Sequence, residues 1–185
     1  IETGKNWNPD NDKQLNALED LCIKKHSKEK ILVFTQFADT ANYLFDQLNK
    51  RGLEGVACVT GDAENPTDFA HRFSPGSNNK TSVKDEIRVL ITTDVLSEGQ
   101  NLQDAHIIVN YDLPWAIIRL IQRAGRVDRI GQKHSEILCY SFLPQDGLER
   151  IIGLRARLTK RISENAEAVG ADEVFFDGDP VNIKD

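Results

Sequence analysis

The stretch 31-ILVFTQFADTANYLFDQLNKRG-52 decides the class of the fold. Its opening run, Ile31 to Phe34, is short, wholly apolar and partly β-branched, which suits a strand buried on both faces. From about Asp39 to Lys50, the residues Ala41, Leu44, Phe45 and Leu48 recur at helical spacing and fall on one side, and Gly52 stops the helix.

The same rhythm extends in both directions. Upstream, residues 1–9 are polar, broken by Gly4 and Pro9, and read as a linker. Asp10 or Asn11 is expected to cap a helix running to about His26, with Leu15, Leu18, Leu21 and Cys22 as its apolar stripe. Downstream, GVACVTG (55–61) is strand-like, and ENPTDFAHRF (64–73) reads as a short helix with Pro66 in its first turn. SPGSNNKTSVKDE (74–86) reads as a polar loop, the most dispensable stretch of the core. RVLITTD (88–94), HIIVNYD (106–112) and EILCYSF (136–142) are further strands. VLSEGQNL (95–102) is a turn, and Pro114 opens a helix through RLIQRAG (119–125). Asp146 to about Ala166 reads as a long helical extension, and 167–185 as an acidic tail that VFF (174–176) is placed to dock onto the core. Nearly all-apolar strands alternating with helices call for an α/β fold whose parallel sheet is covered on both faces. In such sheets ligands collect where strands end, so Thr35, Gln36, Thr60, Gly61, Thr92 to Asp94 and Asp112 mark a candidate binding edge.

Charge is segregated along the chain. The net charge is −6, but Glu164 to Asp185 alone carries seven acids and one lysine, which leaves residues 1–163 neutral overall. Within them Arg119 to Lys133 holds five basic residues against Asp128. Mean hydropathy is −0.44, and no apolar run reaches the roughly 18 residues of a membrane span. Cys22, Cys58 and Cys139 are odd in number and widely spaced, which supports neither a disulfide frame nor a zinc knuckle and fits a cytoplasmic setting. The four histidines are equally dispersed. There is no Met at all, the initiator included, so the chain is expected to be a piece of something longer.

The most informative chemistry lies in LIQRAGRVDRIGQ (120–132). On a helix Gln122, Arg126 and Arg129 are spaced i, i+4, i+7 and share one face, with Arg123 about a quarter turn away. Guanidinium groups gathered this closely repel one another unless anions neutralise them, and their planar forks match phosphate oxygens. A polyphosphate site is the sharp reading; a solvated basic face is the plain one, disfavoured by Gly125, Gly131 and the flanking apolar elements.

QRAGRVDRIGQ resembles motif VI of superfamily 2 helicases and translocases, and its RIGQ ending resembles the Swi/Snf-like branch. ILVFTQF resembles motif IV of that branch, VTG (59–61) the small element that follows it, and LITTDVLSEGQNLQDAHIIVNYDLPW (90–115) motif V with its continuation. The resemblance spans roughly residues 12–145, and its motifs fall in order. It implies a three-layer RecA-like domain with a mostly parallel sheet over 10–145, the second lobe of an ATP-driven motor, followed by the helical extension. By the same resemblance Arg126 and Arg129 match arginine fingers that reach ATP held by the first RecA-like lobe of the same polypeptide, and Gln122 faces the γ-phosphate and attacking water. Gly99 and Asn101 match motif V positions near the nucleotide, and Arg123 either joins them or braces the lobe interface. Thr92 and Thr93, Thr60 and Gly61, and Gln36 match nucleic-acid-contacting positions. Short hydroxyls and exposed backbone N–H groups bind phosphate oxygens without reading bases, as a motor that steps along any sequence requires.

Departures from the branch pattern include Trp115-Ala116-Ile117, Asp94, Glu98 and the Gly125-Arg126 pair, which together resemble a bacterial or archaeal type. Trp115 reads as a base-stacking platform or, more in keeping with its place, a buried anchor. No G-x-x-x-x-G-K-[ST] and no D-E-x-[HD] box occurs, so ATP and Mg2+ are expected to be held mainly by the first lobe. The track implied is DNA, double-stranded on the Swi/Snf-like resemblance, with no membrane partner. An RNA or DNA duplex-unwinding lobe and a non-catalytic RecA-like binding module are the rivals.

Overall fold

The computed structural model describes residues 8–80, 83–97, 100–114 and 117–142. The expected extension, the acidic tail, most of the linker, Glu98, Gly99, Trp115 and Ala116 lie outside these residues.

Five parallel strands form one sheet in the order β2-β3-β1-β4-β5, where β1 is Ile31–Phe34, β2 Val56–Val59, β3 Val89–Thr92, β4 Ile107–Asn110 and β5 Leu138–Ser141. Pairing is in register from the first residues, Ile31 opposite both Val89 and Ile107. All of β1, β3 and β4 is buried, as expected of central strands flanked by helices on both sides.

The helices are α1 (Lys13–Asp20), α2 (Ala38–Lys50), α3 (Pro66–Phe73) and α4 (Ile117–Ala124). The connection from β1 to β2 runs one way across the sheet and all later connections run the other. Right-handed crossovers therefore put α2 on one face and α3 and α4 on the opposite face. The core follows that division. Leu15, Leu18, Leu44 and Leu48 pack with Ile31, Val33, Ile91 and Val109 on one side. Phe73, Leu96, Leu102 and Val127 pack with Leu32, Phe34, Leu90 and Ile108 on the other. Each such fully buried side chain contributes roughly 1.5–3 kcal/mol.

Local chemistry sets the ends. The cap of α1 is Asp12, whose carboxylate accepts from Gln14 and Leu15 N–H at 3.1 and 3.0 Å. The expected Asp10 and Asn11 belong instead to a separate 3-10 turn, Pro9–Asn11, capped by Asn8. α1 continues through a π-helical stretch, Leu21–Lys25, to the expected end near His26. Gly52 closes α2 at φ +80°, in the left-handed region that favours glycine. Asn65 caps α3 ahead of Pro66.

The start of the 74–86 loop, expected to be the most dispensable stretch of the core, is anchored to it. Ser74 is fully buried, and the Asp104 carboxylate accepts the N–H groups of Gly76 and Ser77 at 2.6 and 2.8 Å. Among the described residues no helix is long and apolar enough to cross a membrane.

Candidate functional site

Two groups of polar residues emerge, joined by α4. The first lies at the carboxyl edge of the sheet. Thr35 leaves β1 buried, and its hydroxyl donates to the Asp112 carboxylate, which also accepts the Gln36 N–H at 2.9 Å. The Gln36 side chain donates to the Leu113 carbonyl at 3.0 Å, so it ties the exits of β1 and β4 together. Phe37 beside it is 62% exposed. After β2, Thr60 is half-buried and opens a turn in which the Ala63 N–H reaches its carbonyl at 3.1 Å. Gly61 is exposed, and a Cβ there would meet nothing within 4 Å, so its backbone is open to a ligand rather than packed.

Thr92 and Thr93 behave differently from each other. Thr92 is wholly buried, and its hydroxyl donates to the Thr93 carbonyl at 2.8 Å. Its hydroxyl is therefore turned inward rather than toward a nucleic-acid backbone. Thr93 is half-buried, and its N–H is bonded to the Val59 carbonyl at 3.2 Å, which leaves its side chain as the hydroxyl nearer the surface.

The second group surrounds the end of α4. The expected i, i+4, i+7 face required a helix reaching Arg129, but α4 ends at Ala124. Beyond it the spiral tightens: Arg126 and Val127 N–H bond to the carbonyls three residues back, at 3.2 and 2.9 Å. Gln122 is exposed at the last turn of α4, Arg126 is half-buried on the tightened turn, and Arg129 is exposed. Arg129 Nε donates to the Gly125 carbonyl at 3.2 Å, placing its positive charge at the negative end of the helix dipole. This turn bonds to the segment that enters β4, through Leu102 N–H to the Arg126 carbonyl at 3.4 Å. The arginines thus sit on the flank toward the amino side of β4, away from the carboxyl edge. Asn101, Gln103, Asp128, Arg129 and Ile130 line a shallow open hollow of ≈ 660 Å³ there. The Asn101 side chain reaches the hollow while its amide donates to the Ser77 carbonyl at 3.0 Å.

Arg123 departs from the cofactor-binding role expected for it. It is 1% exposed, its Nε donates to Asp94 Oδ1 at 2.8 Å and its Nη1 to Asn110 Oδ1 at 3.0 Å. The guanidinium carbon lies 5.0 Å from the centre of the Phe34 ring. Nη2 is buried with no hydrogen-bond partner. Asp94 also receives Arg119 Nη1 at 2.8 Å, and Asn110 donates to the Ser141 hydroxyl at 3.3 Å. Arg123 is therefore a brace within the lobe, which is neither the nucleotide-side position nor the brace of the lobe interface expected for it. It fastens α4 to the 3-10 turn Asp94–Ser97 that follows Thr93, and so links the carboxyl edge to the arginine-bearing turn.

One structural residue escaped the sequence reading altogether. The Gln132 amide donates to the carbonyls of Gln103, Ala105 and Val127, at 3.1, 3.0 and 3.0 Å. It locks the RIGQ ending onto the approach to β4, helped by Gly131 at φ +101°. A glutamine seen only as part of a motif gives no sign that its nitrogen is shared among three carbonyls.

Among the described residues no group of three or more His, Cys, Asp and Glu is placed to hold a metal ion. Gln122 and Arg129 are exposed and so open to a ligand from outside this lobe.

Comparison with known proteins fits this geometry. Residues 13–131 match the family model "Helicase conserved C-terminal domain". An uncharacterized ATP-dependent helicase, YqhH of Bacillus subtilis, is 34% identical over 63% of this chain and 19% of its own length. The RNA polymerase-associated protein RapA of Pseudomonas putida is 34% identical over 78% of the chain and 15% of its own. The ATP-dependent RNA helicase DBP8 of Lodderomyces elongisporus is 30% identical over 85% and 33%. The chain therefore spans a third or less of the length of these curated relatives. Among solved structures, the C-terminal part of the Fun30 ATPase domain superposes with a TM-score of 0.61 at 20% identity, over 72% of this chain and 41% of that one. The C-terminal domain of the DEAD-box protein Dbp5 gives 0.58 at 25%, over 82% and 79%. With the family model covering most of the described fold, this chain belongs to the helicase conserved C-terminal domain family, as the RecA-like second lobe of a superfamily 2 helicase.

Proposed function

We propose that this lobe works in an ATP-dependent translocase on double-stranded DNA, closing a nucleotide pocket whose other wall is the first lobe of the same polypeptide. The observation that carries the reading is the exposed Gln122 and Arg129 flanking half-buried Arg126 at the end of α4. Bound ATP, with magnesium held by the first lobe, would supply the phosphoryl-transfer chemistry. This chain's part is to present Arg126 and Arg129 to the charge that develops on the phosphoryl oxygens and to orient the attacking water through Gln122. Asn101 would border the same pocket.

The carboxyl edge takes the nucleic acid. Thr93, Thr60 and the open backbone of Gly61 would contact phosphate oxygens, with Gln36 holding the edge in shape. Asp94 follows Thr93 directly and is bonded to α4 through Arg119 and Arg123. A displacement of the edge on DNA binding would thus reach the helix that carries Gln122.

The RIGQ ending, through its resemblance to the Swi/Snf-like branch, supports the double-stranded DNA reading. The similarity to DBP8, an RNA helicase by name, supports the second reading, an RNA-duplex-unwinding lobe. ATP hydrolysis by the full-length protein, stimulated by duplex DNA or by RNA, separates the two. Triplex displacement without strand separation, stimulated by duplex DNA, is the outcome expected. RNA-specific stimulation with strand separation would establish the rival.

A further inference from the structure

We infer that Asp104 is a positioning residue for ATP hydrolysis: it clamps the 74–78 loop onto segment 101–105, and that segment holds the arginine-bearing turn. This rests on reading that turn as the nucleotide-facing wall.

The clamp is built from both sides. One Asp104 oxygen accepts the Gly76 N–H at 2.6 Å and the other the Ser77 N–H at 2.8 Å. A carboxylate held by two backbone donors is a charge-assisted pair of bonds, stronger and more directional than neutral ones. A Cβ at residue 76 would stand 3.0 and 3.2 Å from the two carboxylate oxygens, so the clamp would have to give by a few tenths of an ångström to admit one. Three further bonds run between the same segments. Asn101 donates to the Ser77 carbonyl at 3.0 Å, Asn78 donates to the Asn101 carbonyl at 2.9 Å, and Asp104 N–H approaches the Ser74 hydroxyl at 3.4 Å. The Ser77 hydroxyl itself is buried without a partner. The loop is thus placed by its backbone and by Asp104, at the expense of its own side chain.

Segment 101–105 passes this restraint on. Its other side bonds to the turn after α4 through Leu102 N–H to the Arg126 carbonyl at 3.4 Å and the Gln103 amide to the Ile130 carbonyl at 3.1 Å. The Gln132 amide returns to the Gln103 and Ala105 carbonyls. Asn101 and Gln103 also line the hollow together with Arg129 and Ile130. Every path from the 74–78 loop to Arg126 or Arg129 along these bonds crosses no more than one intervening segment. Without the carboxylate, the loop side of segment 101–105 keeps only the Asn101, Asn78 and Asp104 N–H bonds, so the restraint that reaches the arginine-bearing turn is weakened. Misplacement of a catalytic group by about 1 Å lowers rate on the order of 100-fold, so partial loosening costs less.

The test uses the full-length protein and four variants: Asp104→Ala, Asp104→Asn, Gly76→Ala and Arg126→Ala. ATP hydrolysis at saturating nucleic acid gives kcat and KM, and amide hydrogen exchange reports on 74–80 and 126–132. Asp104→Ala is expected to raise exchange in both segments and to lower kcat about tenfold. Asp104→Asn keeps one acceptor and should restore part of the rate. Gly76→Ala presses on the clamp from the other side and reproduces the pattern should Asp104→Ala fold poorly. Faster exchange confined to 74–80, with kcat unchanged while Arg126→Ala is impaired, overturns the clamp alone. Unimpaired hydrolysis by Arg126→Ala overturns the functional reading, and the positioning role falls with it.

Discussion

Removing the carboxylate of Asp94 should strip the buried Arg123 guanidinium of its counter-ion, and the size of the loss follows from the contacts. Arg123 is 1% exposed, its Nη2 already lacks a partner, and Asn110 offers only a neutral oxygen at 3.0 Å. Breaking such a pair from one side leaves an uncompensated buried charge and costs about 3–5 kcal/mol. The Arg119 bond to the same carboxylate adds little, because Arg119 is 52% exposed and surface pairs contribute at most about 1 kcal/mol. Asp94→Ala is therefore expected to lose about 3–4 kcal/mol, which for a domain of this size lowers Tm by roughly 10 °C. Arg119→Ala should lose less than about 1 kcal/mol. Replacing the pair together, as Asp94→Ala with Arg123→Met, should recover most of the loss, since an apolar chain beside Phe34 needs no counter-ion. Urea unfolding of these proteins and the parent, with Arg123→Met added as the missing corner, gives the double-mutant cycle. An Asp94→Ala loss below about 1 kcal/mol, or one matched by Arg119→Ala, would refute the claim that burial of Arg123 makes this contact costly to break.

Gln132→Ala removes one amide nitrogen shared by three carbonyls and should cost about 1–3 kcal/mol, checked by the same unfolding series; a change near zero would mean that water replaces the amide freely. The second prediction concerns pH. Burial holds the imidazoles of His26 and His106 below their ordinary value of 6.5, with His134, stacked on His106 at 3.7 Å, adding to the shift. The unfolded chain then takes up protons first, so this stability is fully present above about pH 6.5 and is lost as pH falls from there through the folded-state values. The thermal midpoint should be lower at pH 5.5 than at 7.5, and the difference should shrink in His106→Asn; an equal difference in the variant would count against the assignment.

How much of this was legible in the sequence depends on the range of the interaction. β1, β3 and β4 announce themselves because central parallel strands are apolar without interruption, and α2 is bounded by its own stripe and by Gly52. Caps were displaced by a residue or two where Asn8 and Asp12 both compete to start a turn. The end of α4 was hidden: nothing in RAGRVDR states that the spiral tightens after Ala124. Which arginine of a cluster turns inward is equally silent, since Arg123 is fixed by Asp94 and Asn110, which lie far off in the chain. The 74–80 loop looked expendable because its composition is polar, while its restraint comes from Asp104, 27 and 28 residues further on. Thr92 and Thr93 share one motif, yet the first is the last buried residue of β3 and the second lies just past its end.

In the proposed function the guanidinium groups after α4 act on nucleotide bound to the first lobe. Single-turnover hydrolysis by the full-length protein, with ATP affinity measured alongside, tests this in Arg126→Ala and Arg129→Ala. The account predicts a rate lowered by about 10³- to 10⁵-fold in at least one of them, with affinity far less affected. Rates within about twofold of the parent in both variants would contradict it.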